Sequence, residues 1–351
     1  MMEWTDRHCR RFHRLLTRRT RLYTEMVTTG ALLHGDVPRH LDFDEVEHPL
    51  ALQLGGSEPA DLAACVRLAV RWGYDEVNLN CGCPSERVQR GAFGACLMAE
   101  PRTVAEGVDA MRQATDLPVT VKHRIGLGRN EDYGFVRDFV GTVAQAGCEV
   151  FIVHARNAWL EGLSPKDNRE VPPLRHAVVH RLAHDFPSLR FVVNGGIVSH
   201  EQARTLGEGL AGAMVGRQAY HEPWMLARVD TVHCAAAHDP VRERAEVVSR
   251  LIDYAGAQAA RGVPLRAIVR HVLGLFNGLP GARAWRRTLS DAKLLREADA
   301  GLIAQAYEQV RRAAQAADAQ VAEAQAEARA SDMAGASWAP GRVVAPAGQP
   351  A

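Results

Sequence analysis

The sequence predicts an α/β fold, a TIM (β/α)8 barrel whose first strand is apparently truncated, followed by a C-terminal α-helical domain. Short apolar runs of strand length recur between residues 22 and 217, and the segments between them space their apolar residues as helices do. Beyond about residue 240 the strand-like runs stop and helical spacing continues. Near-continuous apolar strands that alternate with helices are typical of a parallel sheet covered by helices.

The predicted strands number seven. They are 22–26 (LYTEM), 50–54 (LALQL), 76–80 (EVNLN), 119–123 (VTVKH), 150–154 (VFIVH), 191–195 (FVVNG) and 213–217 (AMVGR). A closed TIM barrel needs eight strands. The remaining strand should precede LYTEM, at the position of Met1 and Met2. We therefore expect either an open barrel or a first strand that this chain lacks.

Helical spacing fills the segments between the strands. In 103–117, Thr103 and Glu106 have the spacing of a capping box, and a second helix is predicted over 131–147. Helices over 242–258 and 263–277 belong to the region without strands. We place the barrel at 1–235, a helical domain at 236–312 and an Ala-, Gln- and Pro-rich tail at 313–351, expected to be a fraying helix that leads into disorder.

Bulk composition excludes several classes of protein. The chain has 351 residues, 47% of them hydrophobic, so it can bury a large core. Its net charge of +1 does not by itself indicate a nucleic-acid partner. The odd count of seven cysteines is typical of reduced thiols rather than a disulfide framework. Neither a membrane span nor a secretory signal is present in the sequence. We therefore expect a cytoplasmic protein.

Two regions of the chain are strongly basic although its net charge is close to zero. The first includes Arg7, Arg10, Arg11, Arg14, Arg18, Arg19 and Arg21, and the second, at 261–290, includes Arg261, Arg266, Arg270, Arg283, Arg286 and Arg287 without an acidic residue. Each region is either a solvated helix face or a surface for a polyanion, and the sequence leaves both interpretations open.

Polar residues stand at the carboxyl ends of the apolar strands, where the active site of a TIM barrel lies. They are Gln53, Asn80, Cys83, Lys122, Arg124, His154, Asn194, Gly195, Gly196, Gly216 and Arg217. Burying so many polar groups costs several kcal/mol unless a ligand or partner satisfies them. The set therefore predicts a binding site.

The last two strand ends have the residues of a phosphate site. NGGI and GR combine glycines that allow close backbone approach with an arginine. Lys122 and His154 are placed to meet the polar edge of a ring attached to that phosphate, and a lysine there would stabilise a reduced flavin. FMN fits better than FAD, because no Gly-x-Gly-x-x-Gly motif follows a strand.

Three explanations compete for the cysteines of NLNCGCPSERVQ, from Asn78 to Gln89: a metal site, buried thiols, or a thiol that transfers protons. Cys81, Cys83 and Cys96 lack the spacing of a zinc site, so we expect no metal. Cys81 and Cys96 fit buried thiols. Cys83 follows the strand end and is protonated at neutral pH at an ordinary thiol pKa, so it is our candidate general acid.

These motifs together resemble the tRNA-dihydrouridine synthase family, most closely its bacterial A type. The resemblance runs from Met1 to about Ser290 and is carried by MMEWTDRHCR, YTEMVTTGA, ALQLGG, NLNCGCPSERVQ, GACLM, VTVKHRIG, FIVHAR, LSPKDNREVPPL, NGGI, VGRQAY and RHVLGLFNGLPGARAWRRTLS. It implies an FMN enzyme that uses NADPH to reduce the C5–C6 bond of uridine in the tRNA D-loop, at positions 20 and 20a. We also expect a monomer that has no membrane partner.

The resemblance also implies roles for individual residues. Cys83 would protonate C5 after hydride reaches C6, and Asn80 and Arg124 would hold the uracil. The residues implied to bind FMN are Met1, Met2, Gln53, Lys122, His154, Asn194, Gly195, Gly196, Gly216 and Arg217. Lys166, Arg169, Arg283 and Arg286 would contact tRNA, mostly through phosphates, and the target uridine would leave its stack.

This chain departs from the family pattern in two places. Cys81 stands where an aliphatic residue is usual, and the Ala-Pro that precedes Met-Met in the family's first strand is absent. Two alternatives stay open: another FMN barrel oxidoreductase of the dihydroorotate dehydrogenase type, and a catalytically silent tRNA-binding protein on the same scaffold.

Overall fold

The computed structural model describes residues 1–85 and 91–336, with side chains as far as residue 329. Its strands are Leu22–Thr28 (β1), Leu50–Gly55 (β2), Glu76–Cys81 (β3), Val119–Arg124 (β4), Val150–His154 (β5), Arg190–Asn194 (β6) and Gly212–Met214 (β7). Adjacent strands pair in parallel, and their order in the sheet is their order in the chain. The predicted parallel α/β architecture is confirmed, and all seven predicted strands are present.

Helices connect the strands and continue beyond them. They are Arg7–Leu16 (α1), Thr29–His34 (α2), Val37–Leu41 (α3), Pro59–Trp72 (α4), Pro101–Gln113 (α5), Tyr133–Gln145 (α6), His176–Asp185 (α7), His200–Gly207 (α8), Arg217–His221 (α9), Val229–His233 (α10), Arg244–Ala259 (α11), Leu265–Val269 (α12), Ala282–Ser290 (α13) and Gly301–Ala336 (α14). Within the described residues, the sheet is open between β1 and β7, and α1 rather than a strand precedes β1.

The strands are apolar because both faces of the sheet are covered. All six residues of β2 and all six of β3 are buried, and the apolar faces of α4, α5 and α6 pack on the outside of the sheet. Val104, Val108 and Met111 of α5 are at most 1% exposed. Burial at roughly 25 cal/mol per Å2 of apolar surface is the main term that holds these layers together.

A second apolar cluster joins the two ends of the described chain. Phe12, Leu15 and Leu16 of α1 pack with α11–α14 around Trp285, which is 0% exposed and donates from Nε1 to the Val272 carbonyl at 3.0 Å. The helical region beyond residue 240 therefore shares its core with the N-terminal helix.

Three local expectations are wrong. The helix predicted at 103–117 begins at Pro101 without a side-chain cap, because proline already suits the first helical position, so Thr103 and Glu106 form no capping box. The helix predicted over 263–277 stops at Val269. A Cβ at Gly274 would come 2.1 Å from the His221 carbonyl oxygen, so this segment is fitted to α9 instead.

The third expectation concerns the basic region of α1, where two of the arginines are buried. Arg10 and Arg14 are each 5% exposed. Arg10 donates to Glu47 at 2.6 Å, and Arg14 donates to the carbonyls of Thr17, Thr20 and Glu47 at 2.8–3.0 Å. Neither a solvated face nor a surface for a polyanion is therefore the right interpretation for these two arginines. The tail prediction is partly testable: α14 extends to Ala336, and 337–351 lie outside the described residues.

Candidate active site at the carboxyl edge of the sheet

The strands deliver their polar side chains to one edge because all of them run in the same direction. Lys122 from β4 donates from Nζ to Oδ1 of Asn194 on β6 at 3.2 Å. Asn194 in turn donates from Nδ2 to the Met214 carbonyl of β7 at 2.8 Å. These bonds join three strand ends across the concave face of the sheet.

The loop that carries Cys83 is fixed by Asn80. The Asn80 Oδ1 atom accepts from the backbone N–H groups of Gly82 and Cys83, both at 3.0 Å. On its other side, the Cys83 carbonyl accepts from the Ala95 N–H at 2.9 Å. The thiol is half-buried, with the Ser85 hydroxyl 3.6 Å from its sulfur. Residues 86–90 of the same motif lie outside the described part of the chain.

Cationic groups surround the thiol. Arg124 donates from Nε to the Gly82 carbonyl at 3.1 Å and from Nη1 to the Asn168 carbonyl at 2.9 Å. Burial lowers the pKa of Lys122 to about 8 and that of Arg124 to about 10. A negative charge on Cys83 would offset part of this lowering for both groups, so both cations lie within electrostatic reach of the sulfur.

The glycines after β6 are required by their backbone. Gly195 and Gly196 have φ values of +114° and +72°, in the region that favours glycine. A Cβ at Gly195 would lie 2.7 Å from Cδ2 of His154, so the imidazole packs directly on this turn. Burial, followed by the charges of Arg124 and Lys122, lowers the pKa of His154 well below its usual value. A neutral imidazole therefore faces the turn.

An arginine cluster lies beside this turn. Arg217 begins α9 and donates to a Glu170 carboxylate oxygen at 2.8 Å and to the Arg169 carbonyl at 3.1 Å. Burial first, and then repulsion from Arg217, lowers the pKa values of Arg156 and Arg169. The buried Nε atoms of Arg156 and Arg169 have no hydrogen-bond partner. This donor set fits a bound anion with several acceptor oxygens.

The structure gathers most of the predicted site residues at this edge. Met1 is among them, since its Sδ lies 4.0 Å from the position of a Cβ on Gly216. Met2 is 57% exposed and Lys166 is exposed on the loop after β5. From the helical region, Arg286 hydrogen-bonds Asn277, which donates to the His221 carbonyl at the end of α9, whereas Arg283 lies exposed on α13.

Sequence reasoning missed several residues that build the site. Glu76, Asn78 and Thr120 lie buried beneath Gln53 and Asn80 and hydrogen-bond in a row. The polar residues at 76, 78 and 80 alternate with apolar ones, a period-two signal that could have revealed them. Arg156 and Asn168 were also missed, because each is placed by contacts distant in sequence.

The two cysteines predicted to be buried differ, since Cys81 is buried and Cys96 is only partly so. Cys81 is 0% exposed, and burial raises its pKa well above the usual range, as expected for an inert thiol. Cys96 is half-buried and donates to the Phe93 carbonyl at 3.0 Å. Among residues 1–85 and 91–336, no group of three or more His, Cys, Asp or Glu side chains is arranged to hold a metal ion. Over the same residues, no helix is both long and apolar enough to cross a membrane.

At its carboxyl edge this parallel sheet gathers cations, a neutral histidine and a half-buried thiol, the groups of an enzyme active site. Residues 1–315 match the family described as dihydrouridine synthase (Dus). The chain belongs to the dihydrouridine synthase family.

Curated relatives support the same membership. The chain is 54% identical over 310 residues to the tRNA-dihydrouridine(20/20a) synthase of Shewanella oneidensis, covering 88% of this chain and 92% of that protein. It is 56% identical over 290 residues to the protein of that name from Pseudomonas putida (83% and 86%), and 53% identical over 291 residues to that from Xanthomonas campestris pv. campestris (83% and 86%).

A solved structure, morphinone reductase, superposes with a TM-score of 0.45 at 13% identity, over 70% of this chain and 85% of that one. An overlap at this level bears on neither fold nor activity.

Proposed function

We propose that this protein reduces uridine to 5,6-dihydrouridine in the D-loop of tRNA, at positions 20 and 20a, with FMN as cofactor and NADPH as reductant. The observation that carries the proposal is the position of Cys83 among Lys122, Arg124 and Asn80 at one sheet edge. It combines with relatives at 52–56% identity whose name specifies this reaction and these positions.

The site suits the phosphate of FMN. Arg156, Arg169 and Arg217 repel one another, and two of them keep buried Nε–H groups without partners. A phosphate has the charge and the acceptor oxygens to relieve both conditions. The glycine backbone at 195, 196 and 216 would let the phosphate approach closely. The Met1 side chain lies beside Gly216, and Met2 follows it in the chain.

The polar edge of the flavin ring would meet the other half of the site. Gln53, Lys122 and His154 line it, and Asn194 holds the Lys122 ammonium in place at 3.2 Å. A cation beside the ring favours its reduced, anionic form. When bound, the flavin supplies hydride to C6 of the uracil.

Protein groups complete the reduction. The Cys83 thiol gives its proton to C5, so that one hydride and one proton saturate the double bond. Arg124 and Asn80 hold the uracil, and both also hold the Cys83 loop, through the Gly82 carbonyl and the two backbone N–H groups. Substrate and acid are thereby positioned by the same two side chains.

The tRNA would lie across the site mouth and the helical region. Lys166, Arg169, Arg283 and Arg286 are the proposed contacts, and the link from Arg286 through Asn277 to α9 sets the helical region beside the cofactor site. Phosphate contacts of this kind give salt-dependent affinity. The uridine would be turned out of its stack to reach the sheet edge.

Reduction of unmodified tRNA by the purified protein tests the proposal. We expect a flavin spectrum, NADPH consumption and dihydrouridine formation. Cys83→Ala should keep the flavin and tRNA affinity but lose product by about 100-fold or more. The matched control, Cys96→Ala, removes a neighbouring thiol outside the acid role and should retain activity. A colourless protein, or full activity in Cys83→Ala, would contradict the proposal.

A further inference from the structure

A row of buried hydrogen bonds runs from the Cys83 loop into the interior of the sheet. Asn80 Nδ2 donates to Gln53 Oε1, and Gln53 Nε2 donates to Asn78 Oδ1, both at 2.8 Å. Asn78 Nδ2 donates to Thr120 Oγ1 at 2.8 Å, and the Thr120 hydroxyl donates to Glu76 Oε1 at 2.7 Å. We call these five side chains the relay. Asn78, Thr120 and Glu76 are at most 2% exposed.

Two fixed ends determine the direction of the relay. At one end the backbone N–H groups of Gly82 and Cys83 can only donate, so the Asn80 atom that faces them is an oxygen. At the other end Glu76 is ion-paired with Arg21 and also accepts from the Tyr23 hydroxyl at 2.9 Å, so its carboxylate only accepts. Both ends require every bond between them to point toward Glu76.

The direction of the hydrogen bonds in the relay determines whether Gln53 and Asn80 offer a ligand donors or acceptors. Each amide NH2 has two hydrogens, and the relay uses one from Gln53 and one from Asn80. The second hydrogen of each forms no hydrogen bond among the described residues, and Gln53 and Asn80 keep 8% and 9% exposure. A reversed relay would offer carbonyl oxygens instead, and would turn an NH2 group against the Cys83 N–H.

We propose that Glu76, Thr120 and Asn78 are positioning residues, which fix Asn80 and Gln53 as hydrogen-bond donors toward substrate and flavin and hold Cys83 in place. The proposal rests on the proposed function for its ligands. Asn80 then recognises a carbonyl oxygen of the pyrimidine, and Gln53 meets an acceptor atom of the flavin ring. All three side chains are at most 2% exposed, so they act through Asn80 and Gln53 rather than by contact with a ligand.

Thr120 offers the sharpest test because its hydroxyl both accepts and donates within the relay. Thr120→Val keeps the shape but breaks both bonds, whereas Thr120→Ser keeps the hydroxyl. We expect Thr120→Val to keep its flavin and to lose about tenfold or more in kcat with KM changed far less. Thr120→Ser should recover most of that loss. Thr288→Val removes a hydroxyl that is also buried, 7% exposed, but lies in the helical region, and should leave kcat unchanged.

A second readout does not depend on turnover. Alkylation of Cys83 by iodoacetamide, followed by mass spectrometry of the Cys83 peptide, reports how firmly the loop is held. We expect about a fivefold faster reaction in Thr120→Val than in wild type or Thr120→Ser. If wild type fails to reduce tRNA, the proposed function fails, while the alkylation contrast still tests the relay.

Glu76→Gln covers the case in which Thr120→Val does not fold. An amide at 76 can donate to Thr120, so the direction is no longer enforced although the shape is retained. We expect a reduced kcat and faster alkylation in this variant too. Wild-type kcat and alkylation rates in the folded variants would overturn the proposal.

Discussion

The Lys122 ammonium of β4 donates to the Asn194 side chain of β6, 3.2 Å away, and so bridges over the strand between them. Burial, followed by the charge of Arg124, lowers the pKa of this lysine from 10.5 to about 8, and a charge on Cys83 would offset only part of that lowering. A buried cation held by a neutral amide is costly until an anionic ligand arrives. Under the proposed function, this buried cation would favour the reduced, anionic form of the flavin.

Replacement of Lys122 should separate stability from function. Between pH 8 and 10.5 the unfolded chain holds the Lys122 proton and the folded chain does not, so the free energy of unfolding of the flavin-free protein should rise with pH. Lys122→Met should remove this rise and add about 2 kcal/mol to the free energy of unfolding at neutral pH, after allowance for the lost hydrogen bond. The same variant should lose activity.

Urea unfolding of the flavin-free proteins across this pH range measures the effect. The exposed Lys166 provides the control, since Lys166→Met should leave the pH profile as in wild type. An unchanged pH dependence in Lys122→Met would rule out this lysine as its source.

Gly195 should tolerate no side chain. Its φ of +114° is strained for other residues, and the added Cβ of Gly195→Ala would lie 2.7 Å from Cδ2 of His154. We expect a loss of about 2 kcal/mol or more in stability, together with loss of flavin. Gly256→Ala is the matched control, because nothing lies within 4 Å of its Cβ in α11. It should stabilise by about 0.5–1 kcal/mol in thermal unfolding. Equal effects at the two sites would contradict this account of the turn.

Asp6 joins α1 to the helical region. Its carboxylate contacts Nη2 of Arg270 at 2.6 Å and Nε2 of the buried His271 at 3.0 Å. Burial alone would raise the pKa of the Asp6 carboxylate. The hydrogen bond and the charge of His271, together with hydrogen bonds from the Cys9 N–H and from Arg270, lower that pKa well below 3.8. A carboxyl group whose pKa is lower in the folded chain stabilises the fold at pH values above its pKa in the unfolded chain. This stability is lost as the pH falls below that unfolded-state pKa.

Asp6→Asn should therefore lose about 1–3 kcal/mol at neutral pH and be less sensitive to acid below pH 4 than wild type. Acid titration monitored by circular dichroism checks both effects. The exposed Asp318 of α14 serves as control through Asp318→Asn, which should match wild type. Parallel acid profiles for Asp6→Asn and wild type would contradict the role of this ion pair.

Lys166 should contribute to tRNA affinity through a phosphate. We expect Lys166→Ala to weaken tRNA binding at low salt and to reduce the slope of log K against log salt by about 0.7–0.9. Arg102→Ala, which removes an exposed cation on α5, should change neither quantity. Filter binding over a salt series provides the measurement, and an unaltered slope in Lys166→Ala would remove this residue from the interface.

Local patterns predicted the strands well, because apolar runs and their flanking helices reflect burial on both faces of the sheet. The relay depended on strand register, which pairs Gln53 with Asn78 and Asn78 with Thr120. A single sequence does not reveal this pairing. Likewise, Arg10 is buried by Glu47, which lies 37 residues away. The failed helix at 263–277 has the same origin, since its glycine is fitted to a different part of the chain.

The site could be predicted to the extent that it lies at strand ends. Gln53, Asn80, Lys122, Arg124, His154 and Asn194 come together because parallel strands end at a common edge. Arg156 and Asn168 could not be predicted in the same way. They lie in the loop after β5, where the backbone path rather than strand direction decides which groups meet.

Site-by-site mapping of dihydrouridine in tRNA tests the central claim most directly. The tRNA would come from a strain that lacks this gene, with and without the wild-type chain or Cys83→Ala restored at equal levels. We predict that the wild-type chain restores dihydrouridine at positions 20 and 20a and that Cys83→Ala restores none. Absence of dihydrouridine at these positions with the wild-type chain, or its return with Cys83→Ala, would contradict the account.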